Sequence, residues 1–168
     1  IKTTSDFWQI FDPSSPFVEG ANILGITLSL EDIYELMEIS PFSILEDRKS
    51  VIKFITNVTK YIVSITEAIG TKYIVVVASD YTKMDDGAFS PEVGGAEAIL
   101  KDSLLFEMEL RIIKRLRNKE RLRNIWFAIP DVRKTTELSK VKKLITEAGL
   151  RRSATFKVLI TLTTPLSL

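Results

Sequence analysis

Few residue types in this 168-residue chain could do chemistry. The sequence contains no cysteine and no histidine. This excludes disulfides, thiol nucleophiles, thiolate zinc sites, a Ser-His-Asp triad and any histidine base. Aspartate, glutamate, lysine, arginine, tyrosine, serine and threonine remain as the residues that could act on a substrate.

Positive charge is concentrated in the last third of the chain. Residues 1–110 contain 8 Lys+Arg against 18 Asp+Glu, a net of −10, whereas residues 111–168 contain 15 against 4, a net of +11. The basic end is either a surface for nucleic acid or another anionic ligand, or a solvated helix face that complements the acidic half of the fold. No aromatic residue interrupts the basic run before Trp126, so the sequence shows no stacking platform for single-stranded nucleic acid. The run consists of Arg111, Lys114, Arg115, Arg117, Lys119, Arg121 and Arg123.

Residues 80–95 are predicted to form a loop that is rich in glycine and acidic residues. Asp85 and Asp86 could form a metal-binding pair or a solvated turn. Gly94 and Gly95 alone do not make a phosphate-binding loop, and neither a Walker A motif nor a G-x-G-x-x-G motif occurs.

The elements that must position these residues alternate between short apolar runs and amphipathic stretches, the pattern of βα units around a parallel sheet. Strands are predicted over residues 7–11, 22–28, 73–78, 124–129 and 156–163. Helices are predicted over residues 29–39, 46–69, 97–118 and 135–148. The strands at 73–78 and 124–129 are expected to be central and buried on both faces.

The sequence also predicts where the helices begin and end and which of their faces are buried. Ser29 is expected to begin the first helix, with Asp32 completing a capping box, and Gly70 and Gly149 are expected to end later helices. A spacing of three and four residues predicts the buried helix faces. These faces contain Val51, Ile55, Val58, Ile62, Ile65 and Ile69; then Ile99, Leu104, Leu105, Met108, Ile112 and Leu116; then Leu138, Val141, Leu144, Ile145 and Ala148.

The predicted fold class is α/β, with one domain over residues 1–168 that forms a partial (β/α) barrel of about five parallel strands and flanking helices. A complete eight-stranded barrel needs about 250 residues. The alternatives are a fragment of a longer chain and a small α/β sheet of another topology. Because the first residue is Ile1, we expect the natural start to be missing or trimmed.

The sequence also predicts the location of the protein in the cell and the growth temperature of its source. No apolar run of about 18 residues occurs and the start does not resemble a signal peptide, which predicts no membrane span and a cytoplasmic location. Gln9 is the only glutamine, and this low content together with many lysines and glutamates is typical of hyperthermophiles.

Several motifs occur in the order found in one enzyme family. Residues 106–117 fit F-x-x-E-x-x-x-I-K-R-x-R, residues 129–135 fit a strand end of the type P-F-V-R-T, and residues 147–150 fit E-x-G-L. Residues 76–80 are similar to a V-R-x-S-D strand, residues 20–25 to G-A-D-G-V-G, and residues 91–94 to the start of P-x-L-G-x-R-G. The chain thus resembles the C-terminal barrel of phosphoenolpyruvate synthase and pyruvate phosphate dikinase.

The resemblance implies chemistry on the enolate of pyruvate and phosphoryl exchange with a histidine on a mobile domain. Family arginines neutralise phosphate and carboxylate, and a Glu/Asp pair binds Mg²⁺. This sequence lacks those ligands: the arginine positions fall at Leu28 or Thr27, at Val77 and at Ala96, and the metal-binding glutamate falls at Thr163. We therefore expect no bound cofactor.

Two residues keep the family pattern and are the candidates for an anion-binding site. Arg133 follows a predicted strand and is either an anion contact or a structural ion pair. Asp80 matches the aspartate of V-R-x-S-D and is otherwise a loop-capping carboxylate.

The sequence predicts a catalytically degenerate barrel domain that is not an enzyme itself and serves as a binding, regulatory or assembly module. One alternative is a fragment of an active phosphotransferase that another chain completes, and a second is a nucleic-acid-binding module that uses residues 111–123. The opposite charges of the two halves predict a homodimer or a complex with another protein chain.

Overall fold

The computed structural model describes residues 25–45, 47–80 and 94–161. These residues form four strands and six helices. The strands are β1 (Gly25–Ser29), β2 (Tyr73–Val77), β3 (Ile125–Ile129) and β4 (Val158–Ile160). The helices are α1 (Leu30–Leu36), α2 (Pro41–Leu45), α3 (Arg48–Ile69), α4 (Gly95–Lys101), α5 (Leu104–Asn118) and α6 (Thr135–Glu147).

The four strands form one parallel sheet in the order β1-β2-β3-β4. Neighbours in the sequence are therefore neighbours in the sheet, and each connection between them contains at least one helix. The described strands do not close into a barrel. This arrangement confirms the predicted α/β class with a partial β/α architecture.

One face of the sheet, which we call the helix face, packs against the helices. Phe127 of β3 lies on it, and its ring centroid is 5.9 Å from that of Phe106 in α5. Helices α3 and α5 also pack against each other. Alternation along each strand places the buried residues Leu28, Ile74, Val76, Ile125, Phe127 and Ile129 on this face.

The opposite face of the sheet, which we call the far face, is less well covered. Its residues share the alternate register positions: Thr27, Ser29, Tyr73, Val75, Val77, Trp126, Ala128 and Leu159. Tyr73 is 48% exposed, and Val75 and Val77 are only half-buried. The prediction that residues 73–78 are central is confirmed, but the prediction of burial on both faces is wrong for β2, because these three far-face side chains keep part of their surface exposed.

Most helix boundaries agree with the sequence pattern. Asp47 caps α3 by accepting hydrogen bonds from the backbone N–H groups of Lys49 and Ser50. Gly70, with φ of 68°, follows the end of α3 as predicted. In α3 the predicted residues Val51, Ile55, Val58, Ile62 and Ile65 are buried.

Ser29 directly precedes α1 as predicted, but four other local predictions are wrong. Ser29 makes no side-chain cap, and α1 ends at Leu36 instead of at about Ile39, after which Glu38 adopts a left-handed conformation with φ of 53°. The predicted helix over residues 97–118 is two helices, because Asp102 is extended and its carboxylate accepts the N–H of Leu104. Leu104 begins α5 at 60% exposure instead of lying inside.

Other predictions lie wholly or partly outside the described residues. The strand predicted at 7–11 lies outside them entirely, as do the beginning of the strand at 22–28 and the end of the strand at 156–163. Within the described part of the chain, no helix combines the length and the apolar character that a membrane crossing requires.

Candidate functional site

The carboxyl ends of β2 and β3 bring both predicted anion-site residues to the same edge of the sheet. Asp80 follows β2 and Arg133 follows β3. Ligand sites in parallel α/β sheets lie at this edge. Gly95, the first residue of α4, joins the two segments, since its N–H donates to Asp80 Oδ1 at 2.9 Å and its backbone packs against Asp131.

Gly95 has no room for a side chain. Its φ is 59°, and a Cβ there would lie 2.7 Å from Cβ and the carbonyl oxygen of Asp131 and 2.8 Å from the Pro130 carbonyl oxygen. Only glycine combines this backbone conformation with so close an approach. The β3–α6 segment and the beginning of α4 are therefore held in a fixed relationship.

Both the side chain and the backbone N–H of Arg133 bind carboxylates. Its guanidinium binds Asp131 Oδ2 through Nε at 2.9 Å and Nη2 at 2.7 Å. Its backbone N–H donates to Oε2 of Glu137 at 3.1 Å. The Asp131 carboxylate raises the pKa of Arg133 above its ordinary value, through this hydrogen bond first and through its charge second. Its positive charge is thus already balanced by a buried partner.

A buried glutamate lies beneath this edge. Glu109 of α5 is fully buried, and its carboxylate accepts hydrogen bonds from the Ser79 hydroxyl and, at 3.0 Å, from the Tyr34 hydroxyl. The Ser79 N–H lies 3.3 Å from both carboxylate oxygens. Burial raises the pKa of Glu109 to about 7, although the bonds from Ser79 and Tyr34 act in the opposite direction. The cluster ties α1 and α5 to the end of β2, next to Asp80.

The last row of far-face residues contains no charged side chain. Ser29, Val77, Ala128 and Leu159 occupy matching register positions in the four strands. Val77 is the position at which the resemblance expects an arginine. The row therefore offers an anion the hydroxyl of Ser29 and no charged side chain.

The described residues do not fit the magnesium ion that the resemblance implies. They contain no group of three or more acidic side chains that could bind a metal together. Asp80 already accepts a hydrogen bond from Gly95, and Asp131 is bonded to Arg133. Thr163 and the pair Asp85 and Asp86 lie outside the described residues.

The basic run lies at the opposite edge of the sheet, around the end of α5 and the beginning of β3. Two of its members have structural roles. Arg115 donates to Thr56 of α3 at 3.1 Å, and Arg117 donates to the carbonyl oxygens of Ile125 and Thr155. The remaining members, which are exposed, are Arg111, Lys114, Lys119, Arg121 and Arg123.

The Glu109 cluster, formed by Glu109, Ser79 and Tyr34, is not among the site residues that the sequence motifs predict. A signal was present, because Glu109 lies on the apolar stripe of α5, three residues after Phe106 and four before Ile113. It also occupies the glutamate position of F-x-x-E. Tyr34 and Ser79 carried no comparable signal, since their contacts depend on how three elements pack.

The fold and the position of Asp80 and Arg133 define a β/α domain whose candidate site lies at the carboxyl ends of parallel strands. Two known proteins are similar to this chain in sequence. The protein named "Probable phosphoenolpyruvate synthase" of Staphylothermus marinus is 28% identical over 158 residues, covering 85% of this chain. The "Phosphoenolpyruvate synthase" of Aeropyrum pernix is 42% identical over 60 residues, covering 36% of it. No protein-family model matches the chain.

These similarities show that the chain is related to the phosphoenolpyruvate synthase family, as the motifs predicted. The chain spans 18% of the length of the Staphylothermus marinus protein and 7% of the length of the Aeropyrum pernix protein.

Proposed function

We propose that this chain is a phosphoenolpyruvate synthase-related domain that has lost the anion chemistry of the family and acts as a binding or assembly module. The supporting observation is the uncharged row of Ser29, Val77, Ala128 and Leu159 at the carboxyl edge of the sheet. Stabilising an enolate or a phosphoryl group requires fixed cations or hydrogen-bond donors aimed at the developing charge.

The charges around this row support the same proposal. Arg133 is neutralised by Asp131, and the carboxylates of Asp80 and Glu97 are near enough to act on its pKa. A bound anion would have to compete with Asp131 for the guanidinium and would face two further negative charges. Each charge-assisted hydrogen bond that a missing arginine no longer makes forfeits about 1.5–3 kcal/mol.

The retained parts of the edge fit a structural role. Gly95, the Asp131–Arg133 pair and the Glu109 cluster connect α1, α4, α5 and two strand ends through buried and partly buried contacts. These contacts stabilise the edge and direct the Arg133 guanidinium toward Asp131. A domain of this kind keeps the packing of its relatives, while the last row of its described strands carries no charged side chain.

The experiment is a thermal unfolding series with phosphoenolpyruvate and Mg²⁺ at millimolar concentration, alongside an assay for pyruvate- and ATP-dependent phosphoenolpyruvate formation. We expect no turnover and the same melting temperature with and without ligand. Arg133→Gln is the matched variant. A rise of several degrees that Arg133→Gln abolishes would contradict the proposal, because it would show that this arginine still binds the anion.

A further inference from the structure

A cluster of aromatic residues and a lysine lies at the amino-terminal end of the far face. The rings of Tyr73 and Trp126 stack with centroids 4.2 Å apart and an angle of 31° between their planes. Lys157 places Nζ 4.4 Å from the centroid of the Trp126 ring. Tyr73 is 48% exposed, so its ring still offers surface to a ligand.

The loops that enter β2, β3 and β4 surround this cluster with positive charge. They contribute the exposed residues Lys72, Arg121, Arg123, Arg151 and Arg152. Within these loops, over residues 70–72, 119–124 and 148–157, the only acidic residue is Glu120, which lies 3.9 Å from Arg115. The loops therefore carry a clear excess of positive charge.

Contacts of Arg117 attach the end of α5 to the segment that enters β4. Arg117 lies 4.5 Å from the centroid of the Phe156 ring and donates to Thr155, two residues before Lys157. Burial lowers the pKa of Arg117, and the charge of the nearby Arg123 lowers it further. Cations and stacked rings thus share one edge of the sheet, opposite the edge that carries Asp80 and Arg133.

We propose that this amino-terminal edge binds single-stranded nucleic acid. A base stacks on the exposed ring of Tyr73, while Arg121, Arg123 and Lys157 contact the flanking phosphates. A single strand fits better than a duplex, since a base must leave its own stack to lie on Tyr73. This proposal is independent of the proposed function, because the two rest on opposite edges of the sheet.

The test is fluorescence anisotropy with a labelled oligouridine of about 12 nucleotides, over a series of salt concentrations. We expect saturable binding at low salt that weakens as the salt concentration rises. Replacing both arginines, Arg121→Gln with Arg123→Gln, should weaken binding at least tenfold. The charge-matched control, Lys53→Gln with Lys140→Gln, removes two exposed cations elsewhere and should leave affinity within about twofold.

Stacking is tested at Tyr73. Tyr73→Ala should weaken binding about 5- to 100-fold, and Tyr73→Phe, which keeps the ring, should retain it. Circular dichroism and a melting curve confirm that both variants fold. Any one of three results would overturn the proposal: no saturable binding at low salt, unchanged affinity in folded Tyr73→Ala, or equal affinity for heparin or a duplex of the same length.

Discussion

Replacing Glu109 with glutamine should change how stability depends on pH. Glu109 is fully buried, and burial raises its pKa to about 7 from an ordinary value of 4.5. Glutamine is close in shape and can still accept hydrogen bonds from Ser79 and Tyr34, but it cannot ionise. The variant therefore isolates the free energy of ionising this one carboxyl group inside the protein.

The sign and size of the effect follow from linkage. Since the pKa is higher in the folded chain than in the unfolded chain, Glu109 contributes its full stabilisation below about pH 4.5 and loses it as the pH rises through 7. Each unit of pKa difference corresponds to about 1.4 kcal/mol, so the stability of the wild type should fall by about 3 kcal/mol relative to Glu109→Gln across this range. Any constant cost of the amide cancels in this comparison.

The assay is urea unfolding, followed by circular dichroism, of both proteins at several pH values from about 4.5 to 8. Glu67→Gln, at an exposed glutamate of α3, is the control and should follow the wild-type curve. If the stability curves of the wild type and Glu109→Gln run parallel over the whole range, the carboxyl group is not held in a desolvated site and the reasoning is refuted.

Two other substitutions test the packing. Gly95→Ala should destabilise the protein by about 1–3 kcal/mol in urea unfolding, because a Cβ meets Asp131 and Pro130 at a left-handed φ. Gly70 has a similar φ, but a Cβ added there would have no atom within 4 Å. If Gly70→Ala lost as much stability as Gly95→Ala, the effect would come from the backbone conformation alone. Val76→Asp should abolish soluble expression, because it buries an unpaired carboxylate. The control is Thr27→Asp, at an exposed residue of the far face, and this variant should remain soluble. If Val76→Asp is soluble and melts like the wild type, the assigned burial of Val76 is contradicted.

The regular elements were predictable because their signals are local. The apolar run around Val76 and the three-and-four spacing from Val51 to Ile65 each fall within one element and predict it directly. Gly70 and Gly149 also ended helices as predicted, since a left-handed residue at that position favours glycine.

The remaining features depend on contacts between distant residues. The break between α4 and α5 arises at Asp102, whose local hydrogen bond competes with a helical pattern that is otherwise continuous. The exposure of Tyr73 depends on what covers the far face and not on the composition of β2. Burial of Glu109 depends on donors 30 and 75 residues away in the sequence, Ser79 and Tyr34.

The candidate site was predictable only in outline. Matching Arg133 and Asp80 to family motifs correctly located them at the ends of β3 and β2. The sequence left open whether Arg133 contacts an anion or forms a structural ion pair. The pairing with Asp131 depends on a left-handed φ of 37° at Asp131, which the sequence pattern does not indicate.

Isothermal titration of the chain with phosphoenolpyruvate in the presence of Mg²⁺ tests the central proposal most directly, because it detects binding whether or not turnover follows. The uncharged row of Ser29, Val77, Ala128 and Leu159, together with the neutralised Arg133, predicts no saturable heat at millimolar ligand. A saturable isotherm with a Kd below about 1 mM, equivalent to about −4 kcal/mol, would contradict it.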